Sequence, residues 1–261
     1  MTFLLSNDDG VSAQGLTQLA SACREAGYSI FVVAPEQDRS GASNSLTLDR
    51  PLKPTVLKNG FISVNGTPAD CVNLGMNTLC LEEPLRVISG INSGANLGDD
   101  VLYSGTVAAA MEGRFLTHSP IAISLVGHQH FETAARVIID LLPQLESLSL
   151  PQRTVININV PDIPFNQLKG YEVTRLGHRH RCDPPVKTQS PRGKDYYWIS
   201  CVGHEDDAGP GTDFYAINND KVSITAIQVD MTAYDGNQTL QSCLNLSNQG
   251  HEQVQKQELN T

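Results

Sequence analysis

Two adjacent aspartates, Asp8 and Asp9, follow the first short apolar run of the chain, in the sequence LLSNDDG (residues 4–10). Neighbouring carboxylates repel each other, so such a pair either lies in water or holds a positive charge between its two members. A polar turn with a helix N-cap explains the pair as a structural feature. A bound divalent cation explains it as a functional one, and these two residues alone leave both interpretations open.

Two further polar segments carry oxygen donors of the same kind. Ser40 lies in RSGASNS, and Asn92 and Asn96 lie four residues apart in SGINSGANLGDD. Each segment has an ordinary explanation, as a serine-rich turn or as asparagines in left-handed turns. Each also has a functional one, because carboxylate, hydroxyl and amide oxygens without histidine or cysteine suit Mg²⁺ or Mn²⁺. A structural turn does not require oxygen donors from other segments nearby. If the three segments lie together at one edge of the sheet, a metal site is therefore favoured.

Ser104, Gly105 and Thr106 stand directly before a strongly helical segment, TVAAAMEGRFL (residues 106–116). They offer two hydroxyls and the free backbone N–H groups of a helix N-terminus, which is a good phosphate-binding arrangement. Ordinary helix capping explains the same three residues equally well. They are therefore candidates for phosphate contact.

Three other polar or aromatic segments are predicted to be structural. Asp99 and Asp100 are expected to be solvated or to brace their loop. The basic run GHRHR (residues 177–181) is either a solvated loop or a rim that faces an anion. The aromatic residues 196–198 are expected to pack an arm against its neighbour rather than to stack on a base.

The composition excludes several classes of protein. The chain has 261 residues, of which 40% are hydrophobic and 18% charged, as in ordinary globular proteins. A formal net charge of −10 disfavours non-specific binding to nucleic acid. The six cysteines form no CxxC pair, so neither a zinc site nor a disulfide framework is predicted. With no membrane-length apolar run and no signal-peptide pattern, we expect a cytoplasmic protein.

Two nucleotide-binding motifs are also missing from the sequence. It contains no GxxxxGK[ST] motif, which argues against a P-loop nucleotidase. No GxGxxG follows an early predicted strand, which argues against a dinucleotide-binding dehydrogenase.

Alternating apolar and amphipathic stretches must position the candidate residues. Apolar runs at residues 3–5 and 30–34 predict strands, and residues 12–27 between them predict a helix. Strand, helix and strand in this order form a βαβ unit with parallel strands. The remaining predicted strands are residues 61–64, 85–88, 121–125, 155–160 and 222–229. One further helix is predicted to begin at Thr67-Pro68, and three more are predicted at residues 106–116, 131–145 and 239–246. The alternation favours a doubly wound α/β fold with a mostly parallel sheet, whose ligands bind beyond the carboxyl ends of the strands.

The alternation breaks after Pro161. Residues 176–211 are rich in proline, glycine, histidine and arginine and predict a long excursion or arm. Because the strand at residues 222–229 can rejoin the sheet, we predict a single domain over residues 1–261, with its core in residues 1–160 and 220–246. The polar tail, residues 247–261, is expected to be partly disordered.

Several separated blocks of the sequence resemble SurE, the survival-protein family of metal-dependent 5′-nucleotidases. These blocks are LLSNDDG, RSGASNSLTL, GTPADCV, SGINSGANLGDDVLYSGTVAAAMEG and DAGPGTD. The similarity extends from residue 1 to about residue 246, and several motifs in the correct order are more specific than any one of them. The segment HRHRCD is more basic than the family pattern.

The resemblance implies a fold, an activity and a site. The implied fold is a Rossmann-like, doubly wound α/β fold with a mostly parallel sheet and a C-terminal arm. The implied activity is hydrolysis of nucleoside 5′-monophosphates to nucleoside and phosphate, with 3′-nucleotides and short polyphosphate as further substrates of some members. The resemblance also implies dimers or tetramers that exchange C-terminal arms. The net charge and the lack of a long apolar run predict no partner among duplex nucleic acids or membranes. One divalent ion per subunit, Mg²⁺ or Mn²⁺, would be held by Asp8, Asp9, Ser40 and Asn92, with Asn96, Ser104, Gly105 and Thr106 beside the phosphate. Asp8 and Asp9 are the expected catalytic residues, and Asp9 is the better candidate to accept the proton of the attacking water.

Two rival functions depend on features that this sequence lacks. A receiver-like signalling module also has an acidic pair after its first strand, but it needs a phosphoacceptor aspartate and a later lysine. Here the strand at residues 85–88 leads into Ser89-Gly90-Ile91-Asn92, and the strand at residues 121–125 leads into Val126-Gly127. A phosphatase with a covalent phospho-aspartate usually has a DxD spacing, which Asp8 and Asp9 do not provide.

Overall fold

The computed structural model describes residues 2–199 and 202–244. Its strands are β1 (Thr2–Ser6), β2 (Ser29–Pro35), β3 (Pro54–Val56), β4 (Ile62–Val64), β5 (Arg86–Ser93), β6 (Ile121–Val126), β7 (Thr154–Pro161), β8 (Tyr171–Val173), β9 (His178–Arg179), β10 (Val186–Gln189), β11 (Asp195–Trp198), β12 (Glu205–Asp207) and β13 (Val222–Gln228). Its α-helices are α1 (Gln14–Glu25), α2 (Pro68–Leu74), α3 (Gly105–Glu112), α4 (Phe131–Glu146), α5 (Asp213–Asn218) and α6 (Tyr234–Cys243). A short 3₁₀ helix, Gly98–Leu102, lies between β5 and α3.

Nine strands form the central sheet, in the order β3-β4-β2-β1-β5-β6-β7-β13-β8. β1 is parallel to both of its neighbours, β2 and β5, and the parallel pairing continues through β6 to β7. At one margin β3 is antiparallel to β4. The predicted mostly parallel α/β sheet is therefore confirmed, and the carboxyl ends of β1, β2 and β5 lie side by side.

Helices cover both faces of this sheet. Phe3 and Leu5 of β1 share one hydrophobic core with the apolar residues of α1 and α4. Leu4, which lies between them, points the other way into a core shared with α2 and α3. This two-residue alternation is the normal side-chain period of a strand, and it places β1 between two helical layers.

The predicted start of a helix at Thr67 and Pro68 is confirmed. The Thr67 side chain accepts a hydrogen bond from the Asp70 N–H (3.1 Å), and the Asp70 carboxylate accepts one from the Thr67 N–H (2.8 Å). Thr47 adds two more donors to the same carboxylate, its backbone N–H (2.9 Å) and its hydroxyl (2.6 Å). This capping box fixes the N-terminus of α2 and ties the preceding loop to it.

The predicted excursion contains two small antiparallel sheets outside the central one. β9 pairs with β12, and β10 pairs with β11 as a hairpin. The base of the excursion is held by Asp99 and Asp100, since Asp99 accepts the Arg179 N–H (2.9 Å) and Asp100 forms an ion pair with the Arg179 guanidinium (2.8 Å). His178 approaches the Asp99 carboxylate at 3.2 Å. The loop-bracing role predicted for the two aspartates is confirmed. Their partners, His178 and Arg179, belong to the basic run GHRHR.

The chain divides into one compact unit within residues 1–227 and a smaller one within residues 228–261. The second unit contains α6, which begins at Tyr234 rather than at the predicted residue 239. The predicted end of that helix and the polar tail, residues 245–261, lie outside the described residues. The single-domain organisation stays a prediction.

The structure describes five of the six cysteines. Cys23, Cys71, Cys80, Cys182 and Cys243 are free thiols, and Cys201 lies outside the described residues. Burial raises the pKa of the Cys23 thiol to about 12, so this thiol stays protonated. In residues 2–199 and 202–244, no helix has the length and apolar character that crossing a membrane requires.

Candidate metal and phosphate site

The turn that follows β1 is fixed by hydrogen bonds at both ends. The Asn7 side chain donates to the Gly10 carbonyl oxygen (2.9 Å), and the Arg39 N–H donates to the Asp8 carbonyl oxygen (2.8 Å). Asp8 is 4% exposed, and Asp9 is half-buried. The sequence LLSNDDG therefore places one aspartate inside the protein and its neighbour at the surface of the same turn.

The Asp8 carboxylate lies against the first turn of α3. Its Oδ1 accepts a short hydrogen bond from the Thr106 hydroxyl. Gly105 makes this approach possible, since a Cβ atom there would lie 2.7 Å from the Asp8 Cβ and 2.9 Å from its Oδ2. Burial raises the pKa of the Asp8 carboxyl, and hydrogen bonds from Thr106 oppose that rise. A buried carboxylate is thus held at a helix N-terminus, where the helix dipole favours negative charge.

The Asp9 carboxylate is held by the end of β5. Its Oδ2 accepts the Ser93 N–H at 3.0 Å, and the Ser93 hydroxyl contacts His128 Nδ1 at 2.6 Å. Burial is the main reason that the pKa of Asp9 rises to about 6, with further rises caused by the charges of Asp8 and Asp38. The pKa values of Asp8 and Asp9 are both raised, which indicates that too little positive charge lies near them to stabilise their ionised forms.

Asn92 lies on the strand itself rather than in the loop that the sequence predicts there. β5 continues to Ser93, with an irregular register against β6 between Ser89 and Asn92. The Asn92 amide nitrogen donates to the Gly94 carbonyl oxygen (2.9 Å). The side-chain carbonyl oxygen is then the atom that Asn92 can offer to a cation.

Ser40 follows β2 in a loop that reaches the same corner. The Arg39 bond to the Asp8 carbonyl oxygen brings this loop beside the aspartates, and the Ser43 hydroxyl joins it to the Leu102 carbonyl oxygen (2.9 Å). Ser40 is exposed, and its backbone and side chain bond to Asp38, which lowers the pKa of that carboxyl. Ser40 is therefore adjacent to the site, with its hydroxyl on Asp38 rather than on Asp8 or Asp9.

Asn96 is buried in a network of polar side chains. Its amide nitrogen donates to the Ser124 hydroxyl (2.7 Å), and its backbone N–H donates to Asn159 Oδ1 (2.8 Å). Asn157 and Asn159 both donate to its backbone carbonyl oxygen, at 2.9 and 3.0 Å. The network fixes the loop between β5 and α3, and it uses donor atoms that the sequence-based hypothesis gives to a phosphate.

Ser104 and Thr106 both act on the start of α3. The Ser104 side chain accepts the Val107 N–H (3.0 Å), which is the capping that the sequence allows. The Thr106 hydroxyl is engaged by Asp8. Capping does not use the hydroxyl proton of Ser104, so this group can still donate to a phosphate beside the helix.

The donor set fits a divalent cation. No lysine or arginine of the described residues forms an ion pair with Asp8 or Asp9. Nor do residues 2–199 and 202–244 contain a group of three or more His, Cys, Asp or Glu side chains arranged for a metal. A cation here would balance two carboxylates and take its other ligands from neutral oxygens, such as the Asn92 carbonyl oxygen.

Sequence reasoning missed the residues that support this site. Asp38, Ser93 and Asp213 are the main ones, and Asp213 accepts the Gly98 N–H (2.7 Å) and the Gly177 N–H (2.9 Å). One available signal was the pair of asparagines in VININV, since polar residues inside a buried strand require partners. Ser93 gave no local signal, because its role depends on a tertiary contact with Asp9. Asp38 was missed although its contact is local, since its Oδ1 accepts the Ser40 N–H at 2.7 Å.

Comparisons with known proteins agree with this geometry. Residues 3–183 match the family model described as Survival protein SurE. The chain belongs to the SurE family. A relative from Methylococcus capsulatus named 5′-nucleotidase SurE is 56% identical over 237 residues, which cover 90% of this chain and 94% of the relative. A second relative of that name, from Stenotrophomonas maltophilia, is 54% identical over 238 residues, covering 90% of this chain and 92% of the relative.

A solved structure gives the same answer for the fold. The SurE protein from Aquifex aeolicus superposes with a TM-score of 0.82 at 39% sequence identity, covering 93% of this chain and 99% of that protein. The resemblance drawn from the sequence blocks is thus confirmed. The SurE fold brings the turn after β1, the end of β5 and the start of α3 together at one corner.

Proposed function

We propose that this protein is a metal-dependent 5′-nucleotidase that hydrolyses nucleoside 5′-monophosphates to nucleoside and phosphate. The observation that carries the proposal is the pair Asp8 and Asp9, which lies without a basic partner among the described residues and against the N-terminus of α3. Membership of the SurE family and the name 5′-nucleotidase SurE of both relatives support the same activity.

The proposed metal site takes one divalent ion per subunit, Mg²⁺ or Mn²⁺. Asp8 and Asp9 supply the charge, while Ser40 and Asn92 supply neutral oxygens. Binding through the Ser40 hydroxyl requires that side chain to turn away from Asp38, which it contacts in the structure. Such a change is local, because Ser40 is exposed.

The chain's own residues bind the phosphate and move the proton. When bound, a divalent ion withdraws charge from phosphoryl oxygens and lowers the pKa of water. Ser104 and the Gly105 N–H donate to the phosphate at the first turn of α3. As the water oxygen bonds to phosphorus and the P–O5′ bond breaks, Asp9 accepts the water proton and the leaving oxygen takes a proton from solvent. Asn96 and Thr106 position these groups, and their direct contact with phosphate stays a prediction.

Phosphate release from AMP and GMP tests the proposal. With Mn²⁺ or Mg²⁺ the wild-type protein is expected to release phosphate, and EDTA is expected to stop the release. Asp8→Asn should abolish it while leaving the circular dichroism spectrum unchanged. Asp49→Asn, a change of an exposed aspartate, is the matched control and should keep full activity. Full activity of Asp8→Asn would refute the proposed role of Asp8.

The same assay separates the remaining alternatives. A panel of 5′-monophosphates, 3′-monophosphates and short polyphosphate ranks the substrates, and the 5′-monophosphates are expected to react fastest. A covalent mechanism would leave labelled phosphate on Asp8 or Asp9 after an acid quench. We expect no label, because water attacks phosphorus directly.

We also propose that the hairpin of β10 and β11 joins copies of the chain into a dimer or tetramer. Tyr196, Tyr197 and Trp198 on β11 are 54%, 64% and 69% exposed, which is unusual for adjacent large aromatic residues. Light scattering during size-exclusion chromatography should show an oligomer for the wild-type protein and a smaller species for Trp198→Ser. A monomeric wild-type protein would contradict this assignment. The cytoplasmic location stays a prediction.

A further inference from the structure

A second polar cavity lies at the opposite edge of the central sheet from the aspartate pair. It has a volume of about 400 Å³ and lies between the connection from α3 to β6 and the connection from α4 to β7. Both connections precede strands of the parallel sheet, whereas the aspartates follow one. The volume falls in the range of small-molecule sites.

The lining of this cavity is basic in an acidic protein. Arg114 and Arg153 both contribute to it, and none of its described lining residues carries a carboxylate. The chain as a whole has 28 acidic and 18 basic side chains. Arg153 forms no ion pair within the described residues. Arg114 Nη1 donates to the Met111 carbonyl oxygen (2.9 Å) and approaches the Glu112 carboxylate at 3.4 Å, which leaves its Nη2 and Nε for a ligand. The cavity therefore has one unpaired cation, Arg153, beside a second whose charge is partly balanced.

Both guanidinium groups of the cavity lie beside the ring of Phe115. The Arg114 guanidinium lies 4.3 Å from the centre of the Phe115 ring, and that of Arg153 lies 5.6 Å from it. Guanidinium groups stacked on one ring keep their N–H donors in the plane and available at the edge. Ser119 and Thr154 add hydroxyls to the lining, and the Thr154 hydroxyl is buried without a hydrogen-bond partner among the described residues.

The backbone of Arg153 is in an uncommon conformation. Its φ is +62°, in the left-handed region that residues with a Cβ rarely adopt. Glycine would hold this turn without strain, yet the position carries a long cationic side chain. Strained backbone at a residue that lines a cavity is a common mark of a binding site.

The groove between α1 and α4 contains an arginine whose charge is balanced by acidic residues, and it serves as a comparison. This groove contains Arg136 together with Glu25 and Glu132. Arg136 also approaches Asp140 at 3.9 Å. Its charge is balanced by acidic neighbours, so it is a suitable control for the two arginines of the basic cavity.

We propose that the basic cavity binds a phosphoryl group through Arg114 and Arg153. Guanidinium groups form paired, charge-assisted hydrogen bonds with phosphate oxygens, which fits the polar lining and the lack of a carboxylate. The group is either inorganic phosphate or the phosphate of a nucleotide. This second site is separate from the aspartate pair and does not depend on the activity proposed above.

Binding of inorganic phosphate, measured by calorimetry in EDTA and at about 20 mM salt, tests this assignment. Without a cation, Asp8 and Asp9 repel phosphate, and loss of binding in the Arg153 variants identifies the part that comes from the basic cavity. The wild-type protein is expected to bind one phosphate. Arg153→Gln should weaken the binding about tenfold or more, the equivalent of one charge-assisted hydrogen bond. Arg136→Gln should bind as the wild-type protein does.

Arg153→Gly separates loss of binding from loss of folding. Glycine removes the backbone strain, so its melting temperature is expected to equal or exceed that of the wild-type protein while phosphate binding is lost. Calorimetry with AMP identifies the source of the group, because a nucleotide site binds AMP more tightly than inorganic phosphate and a site for the free ion binds inorganic phosphate more tightly. Adenosine, which has no phosphate, should not bind in either case. The proposal is overturned if the wild-type protein binds no phosphate, or if both Arg153 variants bind it as tightly as the wild-type protein.

Discussion

Asp8 and Asp70 are both buried aspartates at helix N-termini, and they lie at the same edge of the sheet, yet their surroundings differ. Asp70 is 3% exposed and accepts hydrogen bonds from both Thr47 and Thr67, which lower the pKa of its carboxyl despite burial. Asp8 has Thr106 as its side-chain donor, and burial raises the pKa of its carboxyl. The protein satisfies one carboxylate with its own donors and leaves the other in need of a positive charge. That difference distinguishes a structural aspartate from a functional one.

The largest expected effect comes from replacing Asp8 and Asp70, one at a time, with the neutral residue asparagine. Asp8→Asn should reduce phosphate release at least about a hundredfold, because the metal loses a charged ligand. The same change removes a destabilised charge, so the melting temperature of the metal-free protein should stay the same or rise. Asp70→Asn should show the reverse pattern, with near-normal activity in the folded fraction and a lower melting temperature. If both variants lost stability alike, the distinction would be wrong.

Truncation of Asp70 gives the next largest effect, this time on stability. Asp70→Ala removes the capping box and leaves the donors of Thr47 and Thr67 without a partner, which costs about 2–3 kcal/mol. Urea unfolding followed by circular dichroism measures this loss. The control Asp49→Ala, at an exposed position, should change the free energy of unfolding by less than about 0.5 kcal/mol. An unchanged unfolding midpoint for Asp70→Ala would contradict the structural role.

A methyl group at the start of α3 tests how closely that helix must approach Asp8. Gly105→Ala places a Cβ 2.7 Å from the Asp8 Cβ, so either the helix or the carboxylate must shift. We expect a loss of about 1–3 kcal/mol in stability and a clear fall in activity. Gly209→Ala is the control, because the nearest atom to its new Cβ is 3.9 Å away. Equal activity of the two variants would show that the close contact is unimportant.

The smallest expected effect is on how the free energy of unfolding changes with pH under acidic conditions. The pKa of Asp70 is lower in the folded protein than its ordinary value of 3.8, so its charge stabilises the fold above about pH 4. That contribution is lost as the pH falls through the folded-state pKa. The free energy of unfolding, measured from pH 5 to pH 3, should therefore fall less steeply for Asp70→Asn than for the wild-type protein. Parallel curves would mean that Asp70 makes no such contribution.

Sequence patterns predict the parts of this fold that depend on local periodicity. The strand at residues 3–5 and the helix start at Thr67 are confirmed, because apolar spacing and a hydroxyl followed by proline act within a few residues. The continuation of β5 to Ser93 was not predicted. It depends on Gly90, where a Cβ would lie 2.2 Å from the Ile123 carbonyl oxygen on the neighbouring strand.

The candidate site shows the same limit. The residue types of Asp8, Asp9 and Asn92 follow from the chemistry of hard cations, and the order of the strands brings them to one corner. The contacts of Asp9 with Ser93 and of Asn96 with Ser124 could not be predicted. Such side-chain partners are set by which strands lie next to each other, and a single sequence does not state this.

The position of β1 in the sheet has a consequence for synthesis on the ribosome. β1 is made before the other strands of residues 2–199 and 202–244, yet it lies between β2 and β5, and β5 is complete only at Ser93. For roughly eighty residues of elongation, one side of an apolar strand has no permanent hydrogen-bonding neighbour. Nascent chains that end before Ser93 should therefore depend on chaperones, and those that extend beyond α3 should acquire protease resistance.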